Sequence, residues 1–336
     1  MTPIQECIVN KKTNVKPIWL MRQAGRYLPE FRLIREKNPD FIKLCLNSKL
    51  SSEITLQPVK RFNLDAAIIF SDILMVPYGL GQKVKFEKNK GPILSKFNIN
   101  KFLNVKEHEF LNKLNPIYNA IKETRRKLSK NKSLIGFIGS PWTLIVYMLS
   151  LKEKKNSLNL KKLSKNSNDI NLIYENLIYF LKLHIKKQIE AGADVVQIFD
   201  SWAGLIPQAK IEKYCYKPTH DILSFTKEQK IPTICFPKGL GKNYYNFLKE
   251  VKPDCINIDF NVNPKWVRKN FGNTCVQGGM DPKILLADKK TIIKEASKYL
   301  EIFKDSPYIF NLGHGMLPKI NPKNVETLVQ YVKEYK

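Results

Sequence analysis

Seven short apolar runs recur along the chain, most of them closing on a polar or small residue. They are Ala66 to Phe70 before Ser71-Asp72, Leu134 to Gly139, Val195 to Asp200, Thr233 to Phe236, Cys255 to Asp259, Thr274 to Gly278 and Tyr308 to His314. A half-buried strand would alternate apolar and polar positions, so continuous runs predict parallel strands buried on both faces. Between the runs the apolar period lengthens to that of a helix, over Val105 to Ser129, Ile170 to Ala191, Gln208 to Lys227, Tyr244 to Val251, Lys289 to Phe303 and Asn321 to Tyr335. Two further helices are expected upstream, a short one near Asp40 to Cys45 and a longer one from Ser52 to Phe62 with Glu53 at its start.

Strand and helix therefore alternate over most of the chain, and no linker rich in Gly, Pro or Ser divides them. This predicts one α/β domain over residues 1–336, a single (β/α)₈ TIM-type barrel whose eighth strand the pattern does not locate. A doubly wound open sheet is the alternative, but no Gly-x-Gly-x-x-Gly fingerprint follows the first strand, so a dinucleotide is not supported. Leu151 to Asn168, rich in Lys, Asn and Ser, reads as a mobile insertion or a loose helix cap.

The net charge of +27 raises the possibility of nucleic-acid binding. The lysines, however, are spread along the chain rather than gathered in a stripe, as on a solvated surface, so no nucleic-acid partner is expected. Such a field would still steer a polyanionic small molecule inward. Six cysteines, Cys7, Cys45, Cys215, Cys235, Cys255 and Cys275, contain no CxxC pair and no Cys-His cluster, so buried reduced thiols are expected and neither zinc nor disulfides. No charged-then-apolar leader opens the chain and no apolar run approaches eighteen residues, which predicts a cytoplasmic protein without membrane insertion.

Arginine is scarce, eight against forty-nine lysines, yet Arg22, Arg26, Arg32 and Arg35 fall together. Lysine suffices for solubility, whereas the guanidinium fork suits bidentate capture of carboxylate or phosphate. Gly25 between Arg22 and Arg26 would let the backbone turn or approach a bound group, and Pro29 would stop a helix from running on. The stretch Trp19 to Phe31 thus reads as an anion-binding loop, against the alternative of a helix start carrying two solvated arginines.

Loops after barrel strands form the active face, which makes Asp72, Asp200 with Ser201, Asp259, Gln277 and His314 candidates. An Asp closing a strand is often only a helix N-cap. That reading stays open for Asp200 and Asp259, and suits Asp72 less because Ile73, Leu74, Met75 and Pro77 offer little helix to cap. His314 lies between Gly313 and Gly315, without bulky neighbours to bury it, and is expected to face a ligand. Gly136 to Met148 reads as a strand, a Gly-Ser-Pro turn and a helix start whose N-terminus could take an anion, with Tyr147 either facing the loop or packed in the core.

Several of these stretches match one family in order. Pro17 to Glu30 and Gly136 to Met148 resemble the two signatures of the uroporphyrinogen decarboxylase family, and Ala66 to Leu74, Phe199 to Gly204 and Asn311 to Gly315 resemble further motifs of it. Departures are local: Gly279 stands where the family usually has asparagine, Phe260 where tryptophan is common, and the Ser150 to Asn156 segment lacks the usual Glu-Gly.

The resemblance implies a (β/α)₈ barrel that forms homodimers, acts on a porphyrinogen bearing acetate and propionate arms, and needs neither cofactor nor metal. By motif match it implies Asp72, Arg22 and Arg26 as catalytic residues, and Arg22, Gln23, Ala24, Gly25, Arg26, Asp72, Tyr147, Ser201 and His314 as substrate-binding ones, with backbone N–H groups of Gln23 and Ala24 assisting. Corrinoid- or thiol-linked methyltransferases resemble the same barrel but use a His-x-Cys zinc site, and no histidine in this chain has cysteine two residues on.

Overall fold

The computed structural model describes residues 1–87, 91–154, 157–164 and 167–335. Seven parallel strands, β1 (Ala66–Ile68), β2 (Ser133–Gly139), β3 (Val195–Asp200), β4 (Thr233–Pro237), β5 (Cys255–Ile258), β6 (Cys275–Gly278) and β7 (Tyr308–Ile309), form one curled sheet in chain order. Its register is set by pairs such as Ala66 with Ser133, Ile135 with Val195, Val196 with Thr233, Ile234 with Cys255, Cys255 with Cys275, and Val276 with Tyr308.

The period of two assigns alternate residues to two cores. Ala66, Ile135, Val195, Ile234, Cys255, Cys275 and Ile309 point to the concave side, where Ile4, Cys7 and Ile8 plug one end. Ala67, Leu134, Val196, Ile256, Val276 and Tyr308 join the larger core between sheet and helices. Burial on both faces is thus what the continuous apolar runs anticipate. The plug is a helix, Pro3–Val9, that the periodicity leaves unmarked; Thr2 and Gln5 close a capping box at its start. One level above the apolar layer the interior turns polar, with Gln197, Asn257 and Gln277 fully buried. There Gln277 accepts from the Trp19 indole at 2.8 Å and donates to Asn257 at 2.6 Å and Gln197 at 3.2 Å.

Several elements differ from expectation. The run after Tyr308 pairs as a strand only to Ile309 and continues as single bridges, Phe310 to Ile18 and Leu312 to Met280. Phe310 donates to the Pro17 carbonyl at 2.8 Å, and Asp65, just before β1, donates to the Ile18 carbonyl at 2.9 Å. The upstream helix spans Ser48–Phe62, starting where the Asn47 side chain accepts from Leu50 N–H, so Glu53 is well inside it. Phe41–Cys45 is helical as expected, and Asp40 caps it. Gln208 to Lys227 is broken into a 3₁₀ turn (Gln208–Lys210), a π-helical turn (Glu212–Tyr216) and an α-helix from Lys217 to Glu228, with Pro218 in its first turn. In the segment 151–168, Lys152–Lys154 pairs with Ser157–Leu158 and Lys161–Ser164 is helical; residues 155–156 and 165–166 lie outside the described residues. All six cysteines are buried and free. No helix among the described residues is long and apolar enough to cross a membrane.

Two polar groups, half-buried Lys16 and buried His184, tie the outer layer. Lys16 donates to the carbonyls of Thr13 (2.6 Å), Phe303 (2.9 Å), Lys304 (2.8 Å) and Ser306 (2.9 Å), a cation placed against the C-terminal end of helix Lys289–Ile302. His184 Nδ1 and the Tyr118 hydroxyl lie 2.9 Å apart between helices Ser167–Glu190 and Glu107–Lys127. Burial pushes His184 down to about 3, so it stays neutral in the fold while an unfolded histidine protonates near 6.5. Its contribution is complete above about pH 6.5 and is lost as pH falls toward 3, amounting to about 2 kcal/mol by pH 5. The melting temperature of His184→Gln is therefore expected to drop less between pH 7 and pH 5 than that of the parent; equal drops would remove His184 as the cause.

Candidate active site at the carboxyl ends of the strands

The arginine stretch is an irregular loop, and its shape is set by backbone bonds to neighbours across the mouth of the sheet. Met21 N–H donates to Asn311 Oδ1 at 2.8 Å, and Met316 N–H donates to the Met21 carbonyl at 2.9 Å. Gln23, fully buried, accepts from Leu20 N–H at 3.0 Å and donates to the Ala66 carbonyl at 3.0 Å, while its own N–H closes a turn onto Leu20 at 2.9 Å. That N–H is therefore engaged within the loop, and Gln23 serves to hold the loop on β1. Ala24 is half-buried beside it.

The turn does not rest on Gly25. The left-handed residue is Arg22, with φ 60°, a conformation that costs a non-glycine residue about 1 kcal/mol. At Gly25 a methyl group would instead crowd the Arg22 carbonyl at 3.3 Å. Pro29 does not stop a helix but opens one, Pro29–Lys37, at the first position, where its missing N–H is of no consequence.

The four clustered arginines divide into two pairs. Arg32 donates to the carbonyls of Arg26 (3.0 Å) and Tyr27 (3.3 Å), and Arg35 donates to the Asn38 carbonyl and lies 5.7 Å over the Phe41 ring. Those two shape the loop and its helix. Arg22 and Arg26 are exposed, and among the described residues neither guanidinium is within ion-pair distance of a carboxylate.

Asp72 lies past β1, half-buried, and accepts from Leu74 N–H at 2.9 Å ahead of a short helix, Met75–Gly79. It makes a local turn but does not cap that helix, whose start at Leu74 has no side-chain cap, in line with the reading that capping suits Asp72 less. Burial pushes its carboxyl up to about 6, with the Leu74 N–H and then the Arg22 charge acting against that rise. Tyr147, near the end of helix Pro141–Met148, is half-buried and sits edge-on to Trp202 with ring centroids 6.0 Å apart. Burial raises its hydroxyl and Trp202 opposes the rise; Asp72 adds to it and Arg22 opposes it, so Tyr147 lies within electrostatic reach of both. The start of that helix is already closed by Ser140, which accepts from Thr143 N–H at 3.1 Å.

His314 is half-buried and accepts at Nδ1 from Gly315 N–H at 2.8 Å, which leaves Nε2 as the donor of the neutral ring. Burial, then Lys238 and Arg22, push it down to about 4, so it is neutral at pH 7. Gly313 packs its Cα onto the backbone of Phe260, where a methyl would meet Phe260 N at 2.3 Å. Gly315 lies beneath the Arg22 side chain.

Arg22, Asp72, Tyr147 and His314 are therefore brought together. Arg26 and Ser201 lie exposed at the rim. Asp200, Asp259 and Gln277 are buried scaffold and cap no helix. Asp200 accepts from the Thr143 hydroxyl at 2.7 Å, and Asp259 accepts from Gly239 N–H (2.8 Å), the Tyr244 hydroxyl (3.0 Å) and Asn261 N–H (3.0 Å). Two neighbours of the site were missed. Lys238 directly follows β4, and a strand-end search open to cations would have found it; Trp202 follows Ser201 and its ring supports Tyr147. Among the described residues no three His, Cys, Asp or Glu side chains are grouped so as to hold a metal ion.

The family model for uroporphyrinogen decarboxylase (URO-D) matches residues 1–335. A uroporphyrinogen decarboxylase from Rickettsia bellii is 42% identical over 334 residues, covering 97% of either chain. One from Orientia tsutsugamushi (strain Ikeda) is 42% identical over 344 residues, covering 100% of this chain and 99% of the relative. Among solved structures, a methyltransferase from Methanosarcina mazei superposes with a TM-score of 0.79 at 16% identity, covering 99% of this chain and 97% of that one. A B12-independent methionine synthase from Shewanella sp. W3-18-1 does so at 0.55 and 11%, covering 96% and 94%. At such identities the two structures share the fold and nothing finer.

The Arg22 and Gly315 geometry makes a direct test. A methyl at 315 would lie 2.3 Å from Arg22 Cδ and 2.7 Å from Cγ, so Gly315→Ala should swing the exposed guanidinium aside without unfolding the chain. We expect kcat/KM to fall by roughly a hundredfold at nearly constant melting temperature; kcat/KM close to the parent's would show that the position of Arg22 is unimportant.

Proposed function

The chain belongs to the uroporphyrinogen decarboxylase family and decarboxylates uroporphyrinogen in tetrapyrrole biosynthesis, and we propose that Asp72, Arg22, Tyr147 and His314 form the pocket in which it does so. Each of the four acetate arms of uroporphyrinogen III loses carbon dioxide and gains a proton to become a methyl, giving coproporphyrinogen III. The pyrrole is its own electron sink: protonation of a ring carbon gives an iminium-like cation, which takes the electron pair released as carbon dioxide leaves.

Asp72 receives the pyrrole N–H groups and stabilises that cation. A carboxylate about 4 Å from the charge contributes roughly 4 kcal/mol at an effective dielectric near 20, about three decades of rate. Support for this role comes from its setting: no guanidinium or ammonium among the described residues pairs with it, so its charge is left for the substrate, while burial keeps the local dielectric low. Arg22 and Arg26 grip carboxylate arms, with Ala24 N–H assisting and Gln23 and Gly25 fixing the loop. Tyr147 and His314 donate to the macrocycle from the two sides, and Ser201 contacts it at the rim.

We read residues 17–20 as the eighth stave of a (β/α)₈ barrel, a reading supported by their bonds to Phe310 on one side and Asp65 on the other. The working form is taken as a cytoplasmic homodimer, on the family resemblance, and the dispersed lysines as surface charge rather than a nucleic-acid footprint.

Asp72→Asn keeps the shape and removes the charge, so kcat should fall by roughly three decades with KM little changed, because the charge acts chiefly on the cation. With the Asp72 carboxyl near 6, kcat/KM of the parent should decline below about pH 6 as that group is protonated. Near-parental kcat in Asp72→Asn would exclude it from the mechanism. Arg26→Lys keeps charge but loses the fork, and partly decarboxylated porphyrinogens should accumulate, since each must dock again; a chromatographic product profile matching the parent's would count against the clamp.

A further inference from the structure

We propose that Lys238 binds a carboxylate arm of the tetrapyrrole, completing with Arg22 and His314 a three-donor subsite in the pocket. The inference rests on the decarboxylase reading above and adds to it a residue that neither the arginine loop nor the matched motifs contain.

The placement follows from the backbone. Lys238 is the first residue after β4, and its N–H donates to the Asp200 carbonyl at 3.0 Å while its carbonyl accepts from Gly204 N–H at 3.0 Å. Next to it, Gly239 adopts φ 82° and donates to Asp259 at 2.8 Å, so the residue is clamped from both neighbouring strands. From Asp259 the contacts run on along the rim: Gly313 packs against Asp259 and Phe260, His314 follows, and Gly315 carries the Arg22 side chain. Lys238, His314 and Arg22 thus stand along one continuous arc, near enough that Lys238 and Arg22 both act on the His314 ring.

The charge on Lys238 is drawn to Asp259 but forms no ion pair with it. Among the described residues no carboxylate lies within ion-pair distance of it. Asp259, the nearest acid in sequence space on that rim, already accepts three hydrogen bonds, from Gly239, Tyr244 and Asn261. Burial lowers the ammonium from its ordinary value, Asp259 opposes this and Arg22 adds to it. A half-buried lysine facing an arginine is unfavourable unless an anion joins them, and a flexible polycarboxylate is the anion that this pocket is built to take. Lysine is a compact point charge without the directional fork, so it suits an arm that differs in reach from one bound intermediate to the next.

Steady-state kinetics on the parent, Lys238→Met and Lys238→Arg test this. Loss of one charge-assisted contact should raise KM for the fully carboxylated porphyrinogen by roughly ten- to a hundredfold with kcat nearly unchanged, and Lys238→Arg should recover most of the loss. A KM defect that persists with the last intermediate places Lys238 on a propionate, which survives every step; one that fades places it on an acetate. Parental KM in Lys238→Met would overturn the proposal, as would a parallel fall in kcat and melting temperature in both variants, the mark of a structural role. A parent without turnover would instead overthrow the decarboxylase reading underneath.

Discussion

The mouth of this molecule depends on the seam that joins residues 17–23 to residues 308–316. Phe310 N–H meets the Pro17 carbonyl at 2.8 Å, Trp19 N–H meets the Phe310 carbonyl at 3.3 Å, and Met21 and Met316 are linked at 2.9 Å. Asn311 adds a side-chain acceptor for Met21 N–H. Because buried backbone groups must find partners, these bonds leave the loop little freedom, and Arg22 is held in a left-handed conformation that it would not adopt alone. Its side chain emerges directly over Gly315, next to His314. The two ends of the chain therefore build the same wall of the site, although some 290 residues separate them.

The electrostatics follow from that wall. Desolvation acts on four groups of the pocket, raising Asp72 and Tyr147 and lowering His314 and Lys238. Neutral His314 between two cations is the arrangement of least repulsion, and it keeps a ring N–H available as a donor. Asp72, for its part, is turned by a single backbone N–H and not by a salt bridge. A direct guanidinium partner would hold the carboxylate ionised but would also cancel its field. On the proposed reading of the pocket, the net charge of +27 serves the approach of a polyanion at long range, while the few placed cations decide how it is seated.

Below the pocket the polar layer of Gln197, Asn257 and Gln277 gives the floor its rigidity. Each buried amide bond there is stronger than in water and costly to leave unmade, and Trp19 is tied into the layer through its indole. The arginine loop is thus anchored at its base as well as along its seam. Asp200 and Asp259 play the matching part on the outer side, fixing the loops after β3 and β4.

Strand and helix alternation was legible in the chain itself, because burial on both faces demands unbroken apolar runs and amphipathic helices demand a longer period; the seven strands of the parallel sheet and the long helices other than the broken Gln208 to Lys227 stretch fall where those patterns lie. So were the arginine loop, Asp72 and His314 as candidates, since scarce arginines, strand-end polar residues and a histidine between glycines are local signals; Tyr147 stayed open between loop and core until the family resemblance singled it out. What local signals cannot carry is a partner distant in sequence. The N-terminal plug, the bonds that bring Ile18 between Phe310 and Asp65, the left-handed turn at Arg22 rather than Gly25, and the division of strand-end acids into scaffold and site all arise from long-range contacts. Asp200 and Asp72 look alike in sequence, each an acid closing an apolar run. Only the fold determines that Thr143 covers one and that the other faces a pocket, because desolvation and hydrogen bonding are properties of the assembled surroundings and not of the residue.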